Sequence, residues 1–284
     1  MPEKPVVLPE LGAPTTDTHA HLDMLDDPAG ALERAAMAGI EFVCTIADAT
    51  EHARGTLESL QSWIDEAAAR LRDWDVPRTP PEVRIVVGVH PHNAKAFDAA
   101  LESDVRSFAE DPRVCAIGEA GLDFHYDHSP REDQRRAYRR QLELAHELHL
   151  PAILHLRESG DEGIDILREV GLPPAGCVLH CFTEGPETAE RFLDLGCYIS
   201  FAGAVTFARA EAIRAAAAIV PLERLLVETD SPFLAPTPYR GRPNEPAFVT
   251  LSAAKVAEVK GLDTAVIATA ALGNARNLFD RPRP

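Results

Sequence analysis

Lysine is scarce in this sequence. Only Lys4, Lys95, Lys255 and Lys260 occur, and Lys plus Arg total 28 against 45 Asp plus Glu, a net charge of −17 over 284 residues. Such a chain repels polyanions at long range unless its charges are segregated. That argues against a broad, charge-driven nucleic-acid binder, and not against an enzyme that attacks one phosphodiester with metal help. Cysteine is also sparse: Cys44, Cys115, Cys177, Cys181 and Cys197 are odd in number, and no pair has the CxxC spacing of a zinc knuckle or redox site. All five read as small apolar residues in a reducing compartment. No apolar run reaches the length of a membrane span. The segment Met1–Pro14 lacks the basic start and apolar stretch of a secretory signal. The expectation is a cytoplasmic protein with no membrane association. No internal repeat is visible, and no low-complexity tail beyond Arg281–Pro284.

What is present is an alternation. Short apolar, β-branched runs recur at Thr15–His19, Glu41–Ile46, Arg84–Val89, Val114–Gly118, Ala152–Leu156, Cys177–Cys181, Tyr198–Phe201 and Leu225–Glu228. Most are apolar on both faces, as buried parallel strands are. Helix-period stretches lie between them. The clearest is Glu132–Leu148, with an apolar stripe at Tyr138, Leu142, Ala145 and Leu148; Ala208–Ala218 and Ala247–Val259 read the same way. Eight strands alternating with helices predict a single (β/α)₈ TIM barrel over residues 1–284, its core about 15–280. The three prolines of Val76–Pro81 break a helix before strand three. Ala235–Pro246 reads as a long loop after strand eight. No segment marks an oligomer interface, so a monomer is expected.

The chemistry-bearing residues fall at the carboxyl ends of those strands, where barrel active sites lie. His19 and His21 are two apart in an extended segment and point to one side. Glu119 follows strand four, His155 ends strand five, His180 ends strand six and Asp230 follows strand eight. A lone histidine at a strand end is more often a hydrogen-bonded structural residue than a ligand. Six such residues at one rim are not placed by chance. Four imidazoles and two carboxylates suit Zn²⁺, Mn²⁺ or Mg²⁺. Six ligands exceed one tetrahedral site, so two cations sharing Glu119 is the natural solution.

Several motifs resemble the TatD-type metal-dependent nucleases, a branch of the amidohydrolase-like barrels. They run from Asp17-Thr-His-Ala-His-Leu-Asp23 through Gly88-Val-His-Pro-His92, Ile117-Gly-Glu-Ala-Gly-Leu-Asp123, Leu150-Pro-Ala-Ile-Leu-His155 and Leu179-His-Cys-Phe-Thr183 to Leu226-Val-Glu-Thr-Asp-Ser-Pro-Phe-Leu234. The resemblance spans about Asp17 to Leu278. It implies a two-metal phosphodiesterase-like site. His19, His21, Glu119 and Asp230 match the residues holding one cation, and Glu119, His155 and His180 those holding the other. None of the four lysines stands at a strand end to serve as a carboxylated bridge, which fits Glu119 in that place. The sequence departs from the family pattern at Arg157-Glu158-Ser159, Phe124-His125-Tyr126 and Glu184, beside the expected site but without loss of a ligand.

The implied reaction is hydrolysis of DNA, or of RNA, at strand ends or single strands, by a water the cations activate, with Asp230 as general base. The same ligands also suit an ester, lactone or amide, such as an aminoacyl-tRNA ester, and a non-enzymatic metal- or RNA-binding protein is the third alternative. His90, His92, Arg157, Arg240 and Arg242 are candidate substrate contacts. Asp23 either orients an imidazole or caps the next segment. Asn244 and Glu245 are expected to fix the strand-eight loop. Phe124 and Tyr239 are the candidates for base stacking, while Trp63 and Trp74 read as packing.

Overall fold

A computed structural model describes residues 7–280; the Arg281–Pro284 tail and residues 1–6 of the N-terminal segment lie outside the described residues. Eight strands form one sheet in chain order, every neighbouring pair parallel. They are β1 (Thr15–Ala20), β2 (Ile40–Asp48), β3 (Glu82–Gly88), β4 (Val114–Asp123), β5 (Ala152–Arg157), β6 (Cys177–Leu179), β7 (Tyr198–Phe201) and β8 (Leu225–Val227). The helices between and after them are α1 (Pro28–Met37), α2 (Ala53–Asp73), α3 (Ala99–Phe108), α4 (Arg131–Glu147), α5 (Gly160–Val170), α6 (Pro186–Asp194), α7 (Glu211–Ile219), α8 (Val249–Lys260) and α9 (Thr264–Phe279). This is the (β/α)₈ barrel the alternation predicts. No described helix is long and apolar enough to cross a membrane.

The ring closes in an uneven way. Beyond the short β8, a single bridge pairs Ala20 with Ser231. The Asp230 amide donates to the His19 carbonyl at 2.8 Å, and the His21 amide to the Ser231 carbonyl at 2.8 Å. The buried carboxylate of Asp17 ties the same seam, accepting from the Thr229 amide (2.8 Å) and hydroxyl (2.6 Å). Burial pushes the Asp17 carboxyl up, against those two hydrogen bonds.

Inside the barrel, Phe42, Cys44 and Ile46 of β2 pack with Val86, Ile153, Val178 and Leu226. Leu278 and Phe279 of α9 complete this cluster, with Phe279 stacked on Phe42 at 6.3 Å. Asn274 of α9 donates to the Leu225 carbonyl at the start of β8, and Asp280 pairs with Arg84 near the start of β3. Helix α9 therefore plugs the amino-terminal end of the strands and leaves the other end for chemistry.

Two strands carry an extra residue on the way to that end. Three steps of β1, Asp17 to Ala20, face two steps of β2; three steps of β4, Ile117 to Ala120, face two steps of β5. A bulge of this kind re-aims a side chain. The two bulged stretches contain His19 and Glu119.

Candidate metal centre

Glu119 stands in the middle of the carboxyl-terminal face, 5% exposed. Its two oxygens face different partners. Oε2 lies 3.5 Å from His19 Nε2 and 3.6 Å from His21 Nε2. Oε1 lies 3.0 Å from His180 Nε2, 3.5 Å from His155 Nδ1 and 3.8 Å from His90 Nε2. Asp230 Oδ1 is 3.6 Å from His19 Nε2 and 3.5 Å from His21 Nε2. Donor atoms fall within 4.8 Å of one another in three groups: His19, His21 and Asp230; His19, Glu119 and His180; and His90, Glu119 and His155. A divalent cation about 2.1 Å from each donor needs separations of roughly this size. All six expected ligands are thus gathered around one point, and His90 joins them.

The residues fit a cation on a second count. Both ring nitrogens of His19 are buried without a hydrogen-bond partner among the described residues. The nearest carboxylate oxygen, at 3.5 Å, is farther than a well-formed hydrogen bond. A fully buried imidazole left this way loses its hydration for nothing unless an ion takes its lone pair.

The ionisation of the cluster follows from its burial and from its own charges. Burial disfavours charge on Glu119, but His19, His180 and His90 outweigh it and hold the carboxyl well below its usual range. Asp230 is likewise lowered, burial being overcome by His21, His19 and His180. Burial pushes the His19 and His90 imidazoles down, helped by His180 and His155 respectively, which favours the neutral, ligating form. His180 is driven well up against its burial by Glu119 and Glu228.

Three carboxylates that sequence reasoning did not place support the histidines, two at the ring and one at the main chain. Glu228 Oε1 lies 3.2 Å from His180 Nδ1 and accepts the Cys181 amide at 2.6 Å. Asp123 Oδ2 lies 3.2 Å from His155 Nε2 and 2.9 Å from His92 Nε2. Asp48 accepts the His90 amide at 2.8 Å. Asp123 and Glu228 fall inside the same sequence motifs as Glu119 and Asp230, and Asp48 ends β2.

Among the expected substrate contacts, His90, His92 and Arg157 line the cleft, whose volume is about 1570 Å³. Arg240 and Arg242 do not. Arg240 lies over the Phe207 ring at 4.2 Å in a neighbouring groove, and Arg242 over Tyr239 at 5.6 Å, because the strand-eight loop folds away from the mouth. Asn244 pins that loop by donating to the Thr229 and Phe233 carbonyls, and Glu245 pairs with Arg34. Neither expected stacking residue is free. Tyr239 is 7% exposed with its hydroxyl bonded to Val7, and Phe124 packs partly buried against the core with two guanidinium groups, of Arg131 and Arg135, on its ring. Asp23 caps no helix among the described residues; Asp27 caps α1 by accepting the Gly30 amide, and Asp23 Oδ1 is buried without a partner among the described residues. Trp63 packs on the core, whereas Trp74 is 72% exposed. Cys181 is half-buried at the cleft; the other four cysteines are buried.

Residues 16–280 match the model of the TatD related DNase family. The chain belongs to this family. Its relatives include the metal-dependent hydrolase YcfH of Escherichia coli K12, 39% identical over 93% of this chain and 94% of that protein. A 3'-5' ssDNA/RNA exonuclease TatD from Rahnella is 39% identical over 68% of this chain and 75% of its own length. The crystal structure of the E. coli TatD homologue YjjV superposes with a TM-score of 0.79 and 31% identity over 94% of this chain and 98% of that one. This is a TatD-family metal-dependent hydrolase with His, Glu and Asp clusters able to bind metal.

Proposed function

We propose that the chain hydrolyses phosphodiester bonds at the ends of single-stranded nucleic acid, using two divalent cations, Mg²⁺, Mn²⁺ or Zn²⁺, shared through Glu119. The observation that carries this reading is the division of Glu119 between two sets of imidazoles. Oε2 faces His19 and His21 beside Asp230, and Oε1 faces His155 and His180. When bound, the cations supply Lewis acidity that eases deprotonation of a water and draws charge from the phosphoryl oxygen.

The protein does the rest. His92 and Asp123 orient the ring of His155, and Glu228 orients that of His180. Asp230 Oδ1 stands beside His19 and His21 and accepts the proton of the attacking water. Arg157 lines the same cleft and has no carboxylate within 4.0 Å among the described residues, so its guanidinium is available to a substrate phosphate. The name of the Rahnella relative supports the choice of a nucleic-acid end as substrate.

End-labelled single-stranded DNA, incubated with Mg²⁺ or Mn²⁺, tests the proposal. Stepwise shortening that disappears in Glu119→Ala is expected. Hydrolysis of a small diester alone would remove the polymer from the reading. Asp230 has a left-handed backbone (φ 57°), which Asn also tolerates. Asp230→Asn should therefore fold, and unchanged turnover at full metal occupancy would defeat the general-base role.

A carbonyl substrate, an ester or a lactone, is the second reading. Rim charge favours it: ten Asp and Glu line the cleft against Lys95 and Arg157.

A further inference from the structure

The loop after β4 carries an exposed aromatic surface that neither the metal cluster nor the core uses. Tyr126 is 51% exposed at the cleft rim. The His128 ring lies parallel to it, 4° off plane with centroids 5.6 Å apart. The guanidinium of Arg157 sits over the Tyr126 ring at 4.7 Å. His92, whose Nε2 lies 2.9 Å from Asp123, meets both rings edge-on at 5.6 and 4.6 Å. Asp123 Oδ1 accepts the amides of His125 and Tyr126 at 3.0 and 2.8 Å, so the carboxylate that orients His155 also fixes the loop bearing these rings.

The pairing around Arg157 adds a second observation. The acidic residues that follow it in the chain are engaged elsewhere: Glu158 by His125, Asp161 by Arg191 and Glu162 by Arg135. In a chain with 45 Asp and Glu, an arginine whose guanidinium meets a ring face and, among the described residues, no carboxylate is poised for an anion that arrives with its own flat group.

We propose that Tyr126 and His128 form a stacking platform for one nucleobase, the Arg157 guanidinium leaving the Tyr126 ring face to pair with the phosphate attached to that nucleotide. The assignment of the phosphate rests on the phosphodiesterase reading; the assignment of the ring face does not. A base has a π-face whatever its identity, so this subsite accepts strand ends without reading their sequence. It also explains how an acidic cleft can select a nucleic acid. Recognition comes from one stacked base and one paired phosphate, and not from a track of cations along a backbone.

Calorimetric titration of the full chain with dAMP and with 2-deoxyribose 5-phosphate, in the presence of Mg²⁺, tests this. Wild type should bind dAMP at least tenfold more tightly than the baseless phosphate. Tyr126→Ala should lose most of that preference and leave 2-deoxyribose 5-phosphate unchanged, whereas Tyr126→Phe, which keeps the ring, should retain it. Equal binding of the two ligands by wild type, or no binding of either, overturns the platform. So does full dAMP affinity in Tyr126→Ala, or equal loss in Tyr126→Phe. Turnover of end-labelled DNA is scored separately. Base-dependent binding without phosphodiester cleavage would keep the platform and sink the nuclease reading; cleavage without base-dependent binding would do the reverse.

Discussion

Asp123 shows how much one side chain can decide. One of its oxygens meets His92 and His155, and the other holds two loop amides. Burial works to raise its pKa, but the hydrogen bonds from His155, the Tyr126 amide and His92 pull it well below the ordinary carboxylate range. Asp123→Asn keeps the shape and removes the charge. It should weaken metal retention roughly 10- to 100-fold, the usual effect of losing a partner of a ligating imidazole. Competition against a chelator of known affinity measures it; retention equal to wild type would show that His155 needs no such partner. Metal should also leave as pH falls, because protons compete for the imidazoles, above all for His180, whose pKa Glu119 and Glu228 raise.

At the scale of elements, β4 carries the sharpest constraint. Gly121 has φ +153°, and a methyl group there would stand 1.9 Å from the His155 carbonyl oxygen of β5. Gly121→Ala must push β4 off β5 and should destabilise the fold by about 3 kcal/mol or more, read as a lowered urea midpoint. Helices α3 and α4 are joined by a different device. Glu102 pairs with Arg106 on its own helix and with Arg140 on α4, and Glu147 with both arginines. Chiefly through Arg140, the Glu102 carboxyl is lowered from its ordinary value. A depressed carboxylate stabilises above its unfolded pKa and loses that contribution as pH falls through its folded value. Being partly exposed at the surface and screened by water, the pair is worth no more than about 1 kcal/mol. Glu102→Gln should therefore lower the melting temperature slightly at pH 7, with the difference vanishing at pH 3 or in high salt. An equal difference at pH 3 would refute the ion-pair origin.

The same elements show what could be read from the chain. Strand β7 appears with the bounds its apolar run gives, and α4 within one residue. Strand β4 is longer than Val114–Gly118, running to Asp123, because Gly118 and Gly121 mimic strand breakers while serving a bulge and a close approach. Strands β6 and β8 are shorter than expected. Cys181 and Asp230 adopt left-handed backbone at the rim, a conformation that no apolar periodicity signals. Helix α7 begins at Glu211 and not Ala208, its first alanines being spent on the turn before it. The six metal-ligand candidates were legible because strand ends are countable. Tyr126 was not, nor the outward path of Arg240 and Arg242, because loop geometry follows from contacts distant in sequence.

For the molecule as a whole, charge sets the terms of encounter. A body of net charge −17 with two cationic side chains at its cleft gathers few phosphates. Each phosphate neutralised contributes a slope of about 0.7 to the salt dependence of single-strand binding. Activity on single-stranded DNA should then fall less than about tenfold between 50 and 200 mM salt. A loss of a thousandfold would mean a cationic track that the cleft does not display.

The seam between β1 and β8 gives the metal centre a mechanical meaning. Seven of the eight joints of the ring are strand ladders; the eighth is a bridge and a few hydrogen bonds among His19, His21, Asp230 and Ser231. An ion held by His19 and His21 on one side and Asp230 on the other would lie across that joint like a clasp on a hoop. Stripping the ion should leave seven joints intact and loosen one, so amide hydrogen exchange after chelation should quicken first at His21 and Asp230. The chemistry of the site and the closure of the barrel would then share a single fastening.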